Sequence, residues 1–153
     1  MSTKHTIVVV EDDDANAMLV EAVLTRFGGF RVVCTELGDE VLAEVAAGGV
    51  VAVVMDVSLR DTRVGETKVD GVELTRRIRN LPQGRDLPVV LLTAHAMRGD
   101  RERLLFSSGA NDYVAKPIVD HTGFVDLVRR HIEASGVLRR DELETAGRGG
   151  SDS

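Results

Sequence analysis

Five short apolar runs recur along the chain, each followed by a stretch whose apolar residues fall at helical spacing. The runs lie at residues 6–10, 31–35, 50–55, 88–92 and 112–115, and each is short enough to be a buried strand. Between them, residues 14–27 carry Val20, Val23, Leu24 and Phe27 on one helical face. Gly38 and Asp39 introduce a short helix with Val41, Leu42 and Val45 inward. Residues 71–80 repeat the pattern with Leu74 and Ile78, residues 99–108 form a fourth helix, and residues 120–134 a fifth with Phe124, Leu127, Val128 and His131. Gly28-Gly29, Gly48-Gly49, Pro82, Gly84 and Gly109 punctuate the series. Five strand-helix units predict an α/β domain: a single doubly wound five-stranded parallel sheet with helices on both faces and right-handed crossovers.

The bulk numbers narrow this picture. A length of 153 residues suits one domain with a full core, and the 43% hydrophobic content is that of a globular protein. Aromatics make up only 3%, so Val, Leu, Ile and Ala must fill the core. The net charge of −6 argues against a nucleic-acid surface. Cys34 is the single cysteine, which excludes an intrachain disulfide and predicts a small buried residue within its strand. Residues 1–5 lack the apolar segment of a signal peptide, and no run is long enough to span a bilayer, so a soluble, cytoplasmic protein is expected. Residues 5–134 are expected to form the domain and residues 135–153, ending Gly-Arg-Gly-Gly-Ser-Asp-Ser, a largely disordered tail.

The chemistry gathers at one end of the strands. Glu11, Asp12, Asp13 and Asp14 follow the first run, Asp56 the third and Thr93 the fourth, while Lys116-Pro117 follows the fifth. In open parallel sheets, ligands sit outside these carboxyl ends. Acids favour helix starts, which accounts for Asp13 and Asp14. Glu11 and Asp12 sit at the strand tip, and the choice of Asp12 over Asp13 rests on strand register. Carboxylates from two strand ends repel unless a hard divalent cation such as Mg²⁺ joins them. A cation and Lys116 would neutralise an incoming phosphoryl group, the Thr93 hydroxyl would bond one of its oxygens, and Asp56 would be the nucleophile, forming an acyl phosphate.

The ordered set of Glu11-Asp12, strand-ending Asp56, Asp70-Gly71, Thr93-Ala94 and the segment from Gly109 to Pro117 resembles the receiver (response-regulator) domain of two-component signalling, over about residues 6–132. Residues 93–102 are similar to receivers of hybrid kinases and small stand-alone regulators. The resemblance implies a flavodoxin-like sheet of strand order 2-1-3-4-5 and Asp56 as phosphoacceptor. Asp12 would bind Mg²⁺ directly, Glu11 through water, and the Ser58 carbonyl would complete the metal site. Thr93 and Tyr113 would form a switch pair, Lys116-Pro117 a cis peptide, and Ser58 and His95 would tune the phosphate lifetime. The implied partners are a histidine kinase or histidine phosphotransfer protein and a downstream protein target, with the chain a monomer or weak dimer. Such a protein is a signalling phosphoacceptor rather than an enzyme acting on other substrates.

One stretch departs from that pattern. The loop at residues 57–69 is longer than usual, lacks proline, and carries Arg60, Asp61, Arg63, Glu66 and Lys68. Bordering the site, it is a candidate cover for the phosphate, a partner contact, or a polar loop. Two other functions compete. An aspartate-nucleophile phosphatase of the haloacid-dehalogenase type needs a second acid two residues after the nucleophile, where Ser58 stands. A phosphate-independent pseudo-receiver would act as a binding module and would not need Glu11, Asp12, Thr93 and Lys116 together. His5, His95, His121 and His131 have no metal-ligand spacing, so His131 is read as a packing residue. The pairs Arg76-Arg77, Arg129-Arg130 and Arg139-Arg140 are read as solvated faces.

Overall fold

A computed structural model describes residues 5–94 and 99–136. In chain order the elements are β1 (Thr6–Val10), α1 (Asp14–Gly28), β2 (Arg31–Thr35), α2 (Gly38–Ala47) and β3 (Val50–Asp56). Two short strands follow, β4 (Arg63–Val64) and β5 (Thr67–Lys68), then α3 (Gly71–Arg79). After a 3₁₀ turn at Pro82–Gly84 come β6 (Val89–Thr93), α4 (Asp100–Ser108), β7 (Asp112–Ala115) and α5 (His121–Ser135).

The main sheet is parallel, in the order β2-β1-β3-β6-β7. Counting only its own strands, that is the expected 2-1-3-4-5. The strand order reverses between β1 and β3, whose registry pairs Val10 with Met55. Every residue of the central strand β3 is buried, which explains why it reads as a continuous apolar run. Alternating side chains then build two cores. Ile7, Val9, Ala52, Val54, Val90 and Leu92 face α1 and α5, while Val8, Val10, Val53, Met55, Val89 and Leu91 face α2 and α3.

Side-chain caps fix where three helices begin. Asp13 accepts from the Asn16 N–H (2.9 Å), Asp70 from Glu73 (2.8 Å), and Asp120 from Gly123 (3.0 Å). Gly71 permits α3 to start against the end of β3, because a Cβ there would overlap the carbonyl of Asp56. The predicted helix ends agree with the observed ones to within a residue or so, since glycines and caps mark them.

Several expectations need correction. Strand β3 extends through Asp56 and β6 through Thr93, because both polar residues still pair within the sheet. Phe27 is 48% exposed and tilts against His121 with ring centroids 5.8 Å apart. Cys34 is exposed, because β2 is an edge strand and leaves one side uncovered. Although the residue as a whole is exposed, its Sγ lies against α1, 3.4 Å from Glu21 Oε1, and this partial desolvation together with the Glu21 carboxylate pushes the thiol up to about 12. The loop at residues 57–69 carries a small antiparallel hairpin, β4 with β5, with Gly65 at its turn (φ 60°). Leu59 and Val69 are buried beneath it, and the Gly65 N–H lies 3.1 Å from both oxygens of Asp39 on α2. The tail expected to be disordered lies, from residue 137 on, outside the described residues.

The end of the sheet opposite the acids is closed by Arg79. Its guanidinium donates to the carbonyls of Gly109 (2.9 Å), Gly84 (2.7 Å) and Leu87 (2.6 Å) and to Asn111 Oδ1 (2.9 Å). Asn111 Oδ1 also accepts the Val89 N–H (2.8 Å), so one arginine joins α3, the start of β6 and the entry to β7. Arg79→Ala strands these acceptors and should cost about 2–4 kcal/mol in urea unfolding. Arg85→Ala, an exposed neighbour, should stay within about 0.5 kcal/mol of wild type, and equal losses would remove the special role of Arg79.

Candidate functional site

Strand register brings the acids together. Val10 pairs with Met55, so the next residues, Glu11 and Asp56, emerge side by side at the carboxyl ends of β1 and β3. Both are nearly inaccessible: Asp56 is 2% exposed and Glu11 6%. Asp12 joins them, and one carboxylate oxygen from each of Glu11, Asp12 and Asp56 lies within 4.8 Å of the others. Asp13 stands outside this group as the N-cap of α1. Its N–H also donates to Glu11 Oε1 (3.2 Å).

Lys116 reaches the acids from two strands away. Its main-chain N–H donates to the carbonyl of Thr93 (2.8 Å), and the Lys116-Pro117 bond is cis. The ammonium lies 3.1 Å from Asp56 Oδ1 and 3.3 Å from Glu11 Oε2. Burial alone would lower its pKa; the Asp56 and Glu11 carboxylates more than offset this and hold it above the ordinary lysine value. Burial, the hydrogen bond with Asp56 and the Asp56 charge raise the Glu11 carboxyl from 4.5 to about 7, against the smaller pull of the Asp13 N–H and Lys116. One ammonium thus meets two carboxyl groups of a cluster of three. An all-oxygen donor set with surplus negative charge fits a hard divalent cation.

The other expected residues surround this centre. Ser58 is exposed, and its N–H donates to Asp56 Oδ1 (3.0 Å). Thr93 is buried at the end of β6. By strand alternation Thr93 and Tyr113 point to the same face, Tyr113 lying against the α2–α3 core. A groove of about 570 Å³ between α3 and α4 opens beside Ser58 and Thr93, with Arg76, Arg103 and Leu104 along it. His95 lies outside the described residues. His131 does not join the site: its Nε2 lies 3.0 Å from Asp112 Oδ2, while Arg101 meets Oδ1 of the same carboxylate at 3.2 Å.

Two contacts here were not legible in the sequence. The Arg60 main-chain N–H donates to Asp12 Oδ2 at 2.8 Å, a contact no residue type announces. Gly71 shapes the backbone at Asp56, and only the closeness of α3 to β3 reveals why glycine stands there. Among the described residues, no helix is long and apolar enough to cross a membrane.

Comparison with known proteins points to one family and fold. The response regulator receiver domain model matches residues 7–129. The chain is 30% identical over 135 residues to the signal transduction histidine-protein kinase BarA of Escherichia coli K12, covering 88% of this chain but only 14% of BarA. It is 34% identical over 125 residues to an uncharacterised 14.6 kDa protein from the sodA1 3′ region of Leptolyngbya boryana, covering 82% of this chain and 88% of that one. Among solved structures, the receiver domain of sensor histidine kinase PA1611 from Pseudomonas aeruginosa PAO1 superposes with a TM-score of 0.70 at 34% identity, over 85% of this chain and 98% of that one. That structure has a magnesium ion coordinated in its active site cleft. A sensor protein from Polaromonas sp. JS666 gives a TM-score of 0.71 at 28% identity, over 86% and 98%.

The raised Glu11 pKa predicts a pH dependence in EDTA. Folded Glu11 keeps its proton to higher pH than the unfolded chain does, so the folded state binds more protons. Its contribution to stability is full below 4.5 and is lost as pH rises through about 7. Urea unfolding across that range should show stability falling with pH, and Glu11→Gln should remove this component. Parallel pH profiles for the two proteins would refute the assignment.

Proposed function

The chain belongs to the response regulator receiver domain family, and on that premise we propose that it takes a phosphoryl group from a phosphohistidine donor onto Asp56. The observation that carries this reading is Asp56 itself: a buried carboxylate at a strand end, 3.1 Å from a lysine ammonium and grouped with Glu11 and Asp12. An Asp56 oxygen attacks phosphorus, the nitrogen–phosphorus bond of the donor breaks, and the electron pair returns to the imidazole nitrogen. The product is an acyl phosphate on Asp56 and a free histidine on the donor.

Asp12, Glu11 and Asp56 would hold Mg²⁺, with the Ser58 carbonyl completing the set. The cation supplies charge neutralisation at the phosphoryl oxygens. The chain's own residues do the rest. Lys116 exchanges part of its contact with Asp56 for a phosphoryl oxygen, holding positive charge where negative charge gathers. The Ser58 N–H keeps Asp56 Oδ1 oriented. Thr93 presents its hydroxyl to the phosphoryl group, and Tyr113, on the same face of the neighbouring strand, follows inward, so that α4, β7 and α5 offer a changed surface. Ser58 and His95 set how long the phosphate lasts.

Receiver domains work with histidine kinases or phosphotransfer proteins, and we assign this chain one such donor. It acts as a single-domain regulator in the cytoplasm, signalling through a protein target or by onward phosphotransfer. The relative from Leptolyngbya boryana, of similar extent, supports a receiver that stands alone.

Intact-protein mass after incubation with Mg²⁺ and acetyl phosphate tests this. Wild type should gain one phosphoryl group, lost when EDTA is present throughout. Asp56→Asn should gain none, and Lys116→Ala should be slowed at least about tenfold. Undiminished uptake by Asp56→Asn would overturn the acceptor assignment. A wild-type chain refractory to acetyl phosphate and to kinases alike would favour a phosphate-independent binding module.

A further inference from the structure

The loop at residues 57–69 has two backbone anchors, one at the turn of its hairpin and one near its start. One is the Gly65 N–H, 3.1 Å from each carboxylate oxygen of Asp39 at the start of α2. Close beside it, α2 meets β4 so tightly that a Cβ on Gly38 would overlap the Arg63 carbonyl. The other anchor is the Arg60 N–H, which donates to Asp12 Oδ2 at 2.8 Å. On either side of these, buried Leu59 and Val69 fasten the loop to the core, and the Val69 N–H closes it on the Thr62 carbonyl at 2.9 Å. The segment is therefore held at three places rather than hanging from its ends.

From this we infer that the main-chain N–H of Arg60 is a positioning group for the Mg²⁺ site, fixing the Asp12 carboxylate through a hairpin that α2 holds in place. The inference rests on the reading of Glu11, Asp12 and Asp56 as that site. Asp12 is the most exposed of the three acids, and it has no contact with Lys116 to orient it. A carboxylate has two oxygens. A donor fixed on Oδ2 stops the group rotating and leaves Oδ1 for a ligand role. Outer hydrogen bonds of this kind typically contribute about 10–100-fold to metal affinity. The exposed Arg60 side chain plays no part in this; the donor is the backbone, so the residue type hides it.

Proline has no N–H, so Arg60→Pro deletes the donor, whereas Arg60→Ala keeps it. Mg²⁺ titrations followed by calorimetry on the full chain separate the possibilities. Arg60→Pro should bind Mg²⁺ about 10–100-fold more weakly than wild type, and Arg60→Ala should restore the affinity. Asp39→Ala, which releases the far anchor without touching the acids, should fall between them. Thermal unfolding in EDTA checks that each variant folds. Amide hydrogen exchange on unmodified protein needs no variant: the Arg60 N–H should be protected well beyond the exposed hairpin amides. Mg²⁺ affinity of folded Arg60→Pro within twofold of wild type, or an Arg60 amide exchanging like a free loop amide, would overturn the inference and leave the site reading standing. No Mg²⁺ binding by the wild-type chain would instead overturn the site reading, and this inference with it.

Discussion

The Lys116 ammonium lies between two carboxyl groups, Asp56 and Glu11, that the sheet forces together and shields from water. Neither acid is there by its own electrostatic preference. Burial and proximity both oppose two negative charges in one place, and the raised Glu11 pKa expresses that opposition. A single cation two strands away relieves part of it, and the remaining surplus of negative charge is compatible with a bound cation. The Ser58 N–H and the Arg60 N–H add neutral donors that orient without neutralising.

This arrangement makes demands on the rest of the fold. β1 and β3 must be neighbours in a fixed register, because a shift of one residue would move Glu11 away from Asp56. β7 must lie on the far side of β6, and the Lys116 N–H on the Thr93 carbonyl fixes where the lysine chain starts. The apolar strands supply the compensating stability, with β3 buried along its whole length. Arg79 secures the opposite end, where no chemistry is needed and a dense hydrogen-bonded lock is tolerable. Stable and destabilised ends are thus segregated along the strands, as expected where function requires unfavourable local interactions.

Much of this is legible in the chain because short-range rules decide it. Strand and helix positions follow from period, caps and glycines, and the ordered polar residues at the strand ends identify the site end. Asp12 and Asp13 show the limit: adjacent and chemically identical, they are separated only by which one caps α1. Phe27 and Cys34 show another, since helical spacing and strand membership do not say how much of a face the neighbouring element covers. The hairpin was hidden because its strands are two residues each and its anchors are backbone amides meeting distant carboxylates. Gly71 and Arg79 act through long-range contacts that no local pattern encodes.

The central claim is that the buried Asp56 carboxylate is the group that receives phosphate. Borohydride reduction of the phosphorylated chain, followed by peptide mass mapping, tests it most directly, because an acyl phosphate is reduced while a free carboxylate is not. Conversion of residue 56 alone to homoserine is the predicted result. Reduction at Glu11 or Asp12, or a phosphorylated chain with no reducible residue, would contradict the account.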